Sequence, residues 1–253
     1  MSSLGFIYLS HSRRVLYFCI FAVTSLSFHA NAQTQRREID IQDTRVLQNP
    51  PDIRVKGSVL YYDGPIITGS GTQFIELIKN NPVSKVSMNS LGGDVVEALN
   101  IADVIYEKKL DVEVRTICAS ACANYIFPAG ANKYLNQHSF LLWHGGANGP
   151  IREMKMENGA GEITAEQFSQ LPFFTEIKKR ELLFYKKIGV NYKVSFCPQL
   201  QSNYHDKFPE KWFSYSAGDL DKFGLTNIHY SGTPSSWYQG MEKENVVFAN
   251  YCE

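Results

Sequence analysis

The sequence predicts a single α/β domain whose strands are mostly parallel. Strand, turn and helix patterns recur three times between Val55 and Phe127. Such alternation favours parallel strands joined by right-handed crossovers, with helices packed against the sheet. The 253-residue sequence is 44% hydrophobic and 20% charged, a composition that supports one sizeable core. We therefore expect one folded domain.

Each repeat begins with a β-branched or apolar strand pattern and continues, after a turn, into a helical pattern. In the first repeat an Asp-Gly-Pro turn follows the strand pattern, and an Asn-Asn-Pro run ends the helical pattern. The predicted strands are Val55–Tyr62, Lys85–Met88 and Val112–Ile117, and the predicted helical segments are Thr72–Lys79, Val95–Tyr106 and Ser120–Phe127.

The second half of the chain contains fewer regular patterns. Phe140–Trp143 is a short apolar run, and Gly145–Gly161 is rich in Gly, Asn and charge, which predicts an exposed loop. A helix is predicted over Pro172–Ile188, because proline suits the first helical turn. Trp212–Ile228 closes the domain, and the aromatic-rich segment Tyr230–Glu253 is expected to pack back on it.

The N-terminus has the pattern of a signal peptide. Arg13 and Arg14 precede the apolar run Val15–Phe28, and residues 30–32, Ala-Asn-Ala, have the small side chains of a cleavage site. A retained membrane-spanning helix is the weaker alternative, because the run is shorter than the roughly 20 apolar residues that cross a bilayer. We expect export to the periplasm or beyond after cleavage near Ala32.

These patterns divide the chain into a signal peptide (1–32), a polar leader (33–52), a folded domain (53–230) and a C-terminal tail (231–253). The leader is polar and ends in a Pro-Pro stop, so we expect it to be mobile and to add little to the core. The folded domain is expected to begin near Ile53.

Charge gives no sign of a polyanionic partner. Twenty-five Lys and Arg residues balance twenty-five Asp and Glu residues, so no bulk field recruits nucleic acid or a membrane surface. No His or Cys cluster has the spacing of a zinc site. No metal and no cofactor are therefore expected.

Four cysteines follow the signal peptide: Cys118, Cys122, Cys197 and Cys252. In an oxidising compartment they permit two disulfides, with three connectivities. A local Cys118–Cys122 bridge and a bridge from either residue to a distant segment both remain open. We expect at least one disulfide.

Ser120 is a candidate nucleophile. It lies in Cys-Ala-Ser-Ala-Cys, a run of small residues between a predicted strand and a predicted helix. Attack on an acyl carbon needs an activated nucleophile, a nearby base and donors for the oxyanion. Small neighbours leave room for substrate, and a helix N-terminus supplies free N–H groups. The alternative is that Ser120 is only a helix N-cap, a position that serine favours.

His144 is the candidate base. It follows Phe140–Trp143 and precedes two glycines, so it leaves the end of a strand, where catalytic side chains often emerge. A purely structural histidine is the alternative. Gly92 and Gly93 follow another predicted strand and would let a backbone N–H approach a ligand closely, although glycine pairs also occur in ordinary turns.

The order and spacing of these segments resemble the Clp peptidase family of the crotonase-like superfamily, and its relatives among exported signal-peptide peptidases. In that family an Asn-Ser-Pro-Gly-Gly turn provides an oxyanion N–H, a serine in a small-residue run is the nucleophile, and a later histidine is the base. The resemblance runs from about Val55 to Ile228. The matching segments are Ser58–Tyr61, Asn89–Gly93 with Leu91 in place of the proline, Ile117–Ala121, Gly130, Leu142–His144 and Phe223–Leu225.

The resemblance implies a domain of stacked ββα units and a specific set of site residues. Ser120 would be the nucleophile, His144 the general base, and the N–H groups of Gly93 and Ala121 the oxyanion hole.

The family's third triad member, an aspartate, does not carry over. The corresponding position in this sequence is Trp212. Asp206 and Glu210 lie close in sequence, and we assign neither.

Together these features predict an exported serine hydrolase that acts on peptide or protein substrates. The main alternative is a binding or assembly protein that kept the fold and lost catalysis, which the missing aspartate favours. An acyl-CoA enzyme of the superfamily is a third interpretation, but an exported protein should not meet coenzyme A. Export also argues against an ATPase partner. Pro172–Ile188 corresponds to the segment that joins rings in the family, so a homo-oligomer is expected.

Overall fold

The computed structural model describes residues 43–150, 164–204, 212–244 and 246–253. All of these residues belong to one structural unit, which spans Arg36–Glu253. The predicted signal peptide (1–32), most of the predicted leader and residues 151–161 of the predicted loop lie outside the described residues.

The described ranges contain strands that form one large sheet and one small sheet. In chain order they are β1 (Asp52–Lys56), β2 (Val59–Asp63), β3 (Lys85–Ser90), β4 (Asp111–Ala119), β5 (Lys133–Leu135), β6 (Phe140–Leu142), β7 (Phe213–Tyr215), β8 (Ile228–Tyr230) and β9 (Val247–Ala249).

The large sheet has the order β1-β2-β3-β4-β5-β8, and β6 also pairs with β4. Only β1 and β2 are antiparallel, and all other neighbours in this sheet are parallel. The first half of β4 pairs with β5 and its second half pairs with β6. The prediction of an α/β domain with a mostly parallel sheet is confirmed.

The helices pack against the large sheet and connect its strands. They are α1 (Ser70–Asn80), α2 (Val95–Glu107), α3 (Phe127–Ala129), α4 (Ala165–Ser169), α5 (Pro172–Ile188), α6 (Ala217–Lys222) and α7 (Pro234–Lys243), with one π-helical turn at Cys122–Ile126. None of the helices in the described part is long and apolar enough to cross a membrane.

Local sequence explains where α2 begins and where α5 begins and ends. The Asp94 side chain accepts a hydrogen bond from Glu97 N and caps α2, which satisfies one of the free N–H groups of its first turn. In α5, Pro172 occupies the first turn, and Gly189 ends the helix with a φ of 71°. Glycine adopts this left-handed conformation without a Cβ clash.

The C-terminal segment packs on the domain. Trp237 of α7 is buried, and its Nε1 donates a hydrogen bond to the Ser139 carbonyl at 2.9 Å. Strand β9 pairs with β7, and a disulfide joins Cys252 to Cys197. The chain beyond Tyr230 therefore contributes directly to the core.

Two expectations differ from the structure. The predicted strand Val55–Tyr62 is instead the hairpin of β1 and β2, because Gly57 has a φ of 62° and opens a two-residue turn. A glycine in this conformation is typical of tight hairpins. The domain also begins before Ile53, since Val46 is buried in a short 3-10 helix at Thr44–Leu47.

Candidate active site

The candidate site lies where three neighbouring strands end. Strands β3, β4 and β6 are parallel, with Ser90 opposite Cys118 and Ala119 opposite Leu142. The carboxyl ends of parallel strands meet at the same edge of a sheet, which is where α/β proteins place their sites. The segments that follow these strands, containing Gly92, Ser120 and His144, therefore lie together.

Ser120 occupies a tight turn between β4 and the π-helical turn. Its φ is 54°, which is uncommon for a residue other than glycine. Its N–H donates to the Leu142 carbonyl at 3.0 Å, and its carbonyl accepts from Asn124 N at 2.8 Å. A disulfide between Cys118 and Cys122 closes the same turn. The turn thus lifts the serine side chain out of the strand.

The Ser120 side chain does not cap the helical turn that follows it. Ser120 directly precedes the first helical residue, Ala121, but within the described residues its hydroxyl accepts no hydrogen bond from a backbone N–H. The Ser120 hydroxyl instead contacts His144, with 2.7 Å between Oγ and Nε2.

His144 is held from two sides. Gln199 Nε2 donates to the His144 carbonyl at 2.6 Å. Trp143 and Phe213 exchange two backbone hydrogen bonds of 2.9 Å in an antiparallel bridge. This pairing brings Trp212 beside His144, and their ring centroids lie 4.5 Å apart at an angle of 58°. The imidazole therefore lies between the Ser120 hydroxyl and an indole.

Trp212 occupies the position that corresponds to the third triad member of the Clp peptidase family, which the sequence resembles. In this chain it supplies an aromatic face to His144. Asp206 and Glu210, the nearby carboxylates that the sequence offered, lie outside the described residues.

Gly92 packs directly against the turn between Cys118 and Cys122, which we call the serine turn. A Cβ at Gly92 would lie 2.6 Å from the Ala119 carbonyl oxygen, 2.7 Å from Ala121 N and 2.8 Å from Ser120 Cβ. Only glycine, which has no Cβ, permits this close approach. The φ of Gly92, 88°, is also a conformation that favours glycine. The Gly92–Gly93 peptide is thereby kept next to the Ser120–Ala121 peptide.

The two expected oxyanion donors come from these adjacent peptides. In the described part of the chain, the N–H groups of Gly93 and Ala121 donate no hydrogen bond. Ile66 forms a parallel bridge with Gly93, but the two hydrogen bonds of this bridge are made by the neighbours of Gly93. Ile66 N donates to the Gly92 carbonyl, and Asp94 N donates to the Ile66 carbonyl. Two backbone donors beside the nucleophile can stabilise a developing negative charge.

A cavity of about 660 Å³ opens at Ser120 and His144. Its wall away from these polar groups is apolar and comes from α2, α4 and α5. The apolar side chains that these three helices contribute to the lining are Val95, Val96, Phe168, Phe173, Phe174 and Ile177. Such a cavity, apolar with a few convergent polar groups, is the usual form of a small-ligand or side-chain pocket.

The loop after His144 is anchored to α5 by a buried glutamate that the sequence analysis did not single out. Glu181 is fully buried and accepts hydrogen bonds from the backbone N–H groups of Ala147 and Asn148. The first residues of the predicted loop are therefore not freely exposed, and Ala147 is buried. Glu181 shares the inner stripe of α5 with Phe184 and Tyr185. A charge on an otherwise apolar stripe is the sequence signal that could have identified it.

The disulfide pattern is one local bridge and one long-range bridge. Cys118 pairs with Cys122 and Cys197 with Cys252, with Cα atoms 5.2 Å and 5.9 Å apart. The expectation of at least one disulfide is confirmed. Of the two arrangements that were open next to Ser120, the structure has the local Cys118–Cys122 bridge. Such bridges are typical of oxidising compartments. Among the described residues, no cluster of three or more His, Cys, Asp or Glu side chains could hold a metal ion.

No family model and no curated protein matches the chain. Among solved structures, the fold is similar to that of a ClpP1 mutant from Listeria monocytogenes, with a TM-score of 0.42 and 15% sequence identity. That match covers 71% of this chain and 94% of the other.

Proposed function

We propose that this chain is an exported serine hydrolase, with peptides as its favoured substrates, that acts through an acyl-enzyme on Ser120. The observation that carries the proposal is the 2.7 Å contact between Ser120 Oγ and His144 Nε2 at the mouth of an apolar cavity. A nucleophile within hydrogen-bond reach of a base is the basic requirement for covalent acyl transfer.

The proposed reaction uses these contacts. His144 Nε2 takes the proton of the Ser120 hydroxyl as Oγ forms a bond to the substrate carbonyl carbon. The carbonyl oxygen becomes an oxyanion, which the N–H groups of Gly93 and Ala121 stabilise. The imidazolium then gives its proton to the leaving amine as the bond to that amine breaks. A water molecule, deprotonated by His144, hydrolyses the ester and restores Ser120.

Contacts with Trp212 and Gln199 contribute to the orientation of His144. The indole packs against the imidazole, and the Gln199 amide holds the His144 backbone.

The cavity supports a substrate with a bulky apolar group next to the reacting carbonyl. Its lining combines aliphatic side chains from α2 with aromatic side chains from α4 and α5. Burying one large apolar side chain stabilises a complex by about 1.5–3 kcal/mol. Short or already unfolded peptides with such residues fit this requirement, and no ATP-driven partner is needed.

Export is supported by the signal-like N-terminus and by both disulfides. The segment with Arg13, Arg14 and the apolar run Val15–Phe28 would direct secretion. Two disulfides then form where thiols are oxidised.

Labelling with a fluorophosphonate tests the nucleophile. Mass spectrometry should find the adduct on Ser120, and both Ser120→Ala and His144→Ala should reduce labelling by at least about a hundredfold. Ser235→Ala, at an exposed serine in α7, is the matched control and should label like the wild type. If the folded wild-type protein gives no adduct, the binding-protein interpretation replaces this one.

A further inference from the structure

Glu181 is an unusual residue to find inside this domain. Its side chain is fully buried on α5. No Lys, Arg or His of the described residues forms an ion pair with it. Burying a carboxylate without a cation carries a large desolvation cost unless hydrogen bonds replace its water. An apolar residue at this position would avoid that cost.

Four hydrogen bonds replace the lost water. Oε1 accepts from Tyr125 OH at 2.7 Å and from Ala147 N at 3.1 Å. Oε2 accepts from Asn148 N at 2.8 Å and from Asn148 Nδ2 at 2.6 Å. Two donors on each oxygen fit an acceptor-only carboxylate. Burial, with a further contribution from the Glu181 charge, raises the pKa of Tyr125 well above its usual value, so its hydroxyl stays a donor.

These donors come from the two segments that carry the proposed catalytic side chains. Ala147 and Asn148 belong to the loop that follows His144, and Tyr125 belongs to the π-helical turn that follows Ser120. One carboxylate therefore joins both segments to a third element, α5.

A second pair of contacts connects the same three parts. Tyr185 OH, also on α5, donates to the Asn124 carbonyl at 2.8 Å. Asn124 Nδ2 in turn donates to the Gly145 carbonyl at 2.8 Å. One continuous polar network thus links the serine turn, the loop that follows His144, and α5.

We infer that Glu181 is a positioning residue that sets the separation and orientation of Ser120 and His144, given the acyl-transfer chemistry proposed above. It touches neither side chain and acts through the backbones that carry them. Because reactivity depends steeply on the geometry between a nucleophile and its base, displacements of about 1 Å cost up to about 100-fold in rate.

The substitution Glu181→Gln tests this role with almost no change in shape. The amide has one oxygen, so its NH2 group must face two donors that formerly met a carboxylate oxygen. We expect the maximal rate of fluorophosphonate labelling at Ser120 to fall by about 10- to 100-fold. The concentration for half-maximal labelling should stay unchanged, because the cavity lining is intact.

Three comparisons separate positioning from loss of stability. Glu176→Gln removes a charge from an exposed position on the same helix and should label like the wild type. Ile78→Ala, in the core at α1, destabilises the fold away from the site and should also keep its labelling rate while folded. If Glu181→Gln does not fold, Tyr125→Phe removes a single donor and should give a smaller fall of the same kind.

Hydrogen exchange provides a readout that does not depend on reactivity. The Ala147 and Asn148 amides should exchange faster in Glu181→Gln than in Glu176→Gln. If the wild type labels and Glu181→Gln labels at the same rate, or if Ile78→Ala loses as much rate, the positioning role is wrong. If the wild type does not label at all, the proposed function fails first and the role falls with it.

Discussion

The backbones of Ser120 and Gly92 are fitted to each other. Ser120 has a φ of 54° and Gly92 a φ of 88°, and the glycine Cα approaches the Ser120–Ala121 peptide closely. A non-glycine residue in the left-handed region costs about 1–2 kcal/mol. The strain at Ser120 is held by its bond to Leu142 O and by the Cys118–Cys122 bridge. Strain of this kind is common where a side chain must be presented for chemistry.

Gly92→Ala should disrupt the site more than it disrupts the fold. The new Cβ would overlap three atoms of the serine turn, so we expect the Ser120–His144 contact to open and labelling to fall at least about tenfold. Gly57→Ala is the matched control, because Gly57 also has a positive φ, 62°, but has no atom within 4 Å of the added Cβ. It should cost about 1–2 kcal/mol of unfolding free energy and leave labelling intact. Equal labelling of both variants would contradict this account.

At the residue level, candidate site residues could be proposed from the sequence where a motif is local. Ser120 and His144 each sit at the end of a strand within a short recognisable segment, and the structure brings them into contact. Glu181 and Trp212 have no such segment, because their roles arise only when α5 and the Phe213 bridge return to the sheet. Long-range contacts of this type leave little trace in a single sequence.

At the level of elements, the two disulfides have different expected roles. Cys118 and Cys122 are four residues apart and enclose Ser120, whereas Cys197 and Cys252 are 55 residues apart and tie the C-terminal segment to the domain. In the chain-entropy account, a disulfide stabilises by restricting the unfolded chain, and more so for longer loops. The Cys118–Cys122 bridge should therefore mainly affect the geometry of the turn at Ser120. The Cys197–Cys252 bridge should mainly affect the free energy of unfolding.

Paired alanine variants separate these roles. Removing Cys197 and Cys252 together should lower the unfolding free energy by about 4 kcal/mol with labelling of the folded protein unchanged. Removing Cys118 and Cys122 together should lower it by only about 2 kcal/mol and slow Ser120 labelling. Denaturant unfolding and labelling kinetics on both variants measure the two effects. A labelling loss confined to the Cys197–Cys252 variant would reverse the assignment.

The pattern of elements was predictable where apolar periodicity is continuous. Helices α1, α2 and α5 and strands β3 and β4 lie where their side-chain patterns indicate. The β1–β2 hairpin was missed, because a β-rich run on both sides of Gly57 hides a turn of two residues. The short strands β7, β8 and β9 have three residues each, and their pairing partners set them more than their own sequences do.

At the scale of the whole molecule, α5 presents exposed apolar side chains outside the site. Arg180 and Lys187 of α5 both bond to Asp103 of α2, so the two helices lie side by side. Leu182 and Leu183 of α5 are 41% and 58% exposed. Neighbouring exposed apolar side chains on one helix indicate an interaction surface.

We expect this surface to join copies of the chain. A closed symmetric assembly would bury both leucines against another subunit. Leu183→Glu places a charge in that contact and should shift the protein toward monomer, measured by analytical ultracentrifugation at high micromolar concentration. Leu47→Glu, at a 65% exposed leucine near the N-terminal end of the described chain, should leave the assembly unchanged. Because Leu183 does not line the cavity, its variant should still label at Ser120. A wild-type protein that remains strictly monomeric would show that these leucines simply face solvent.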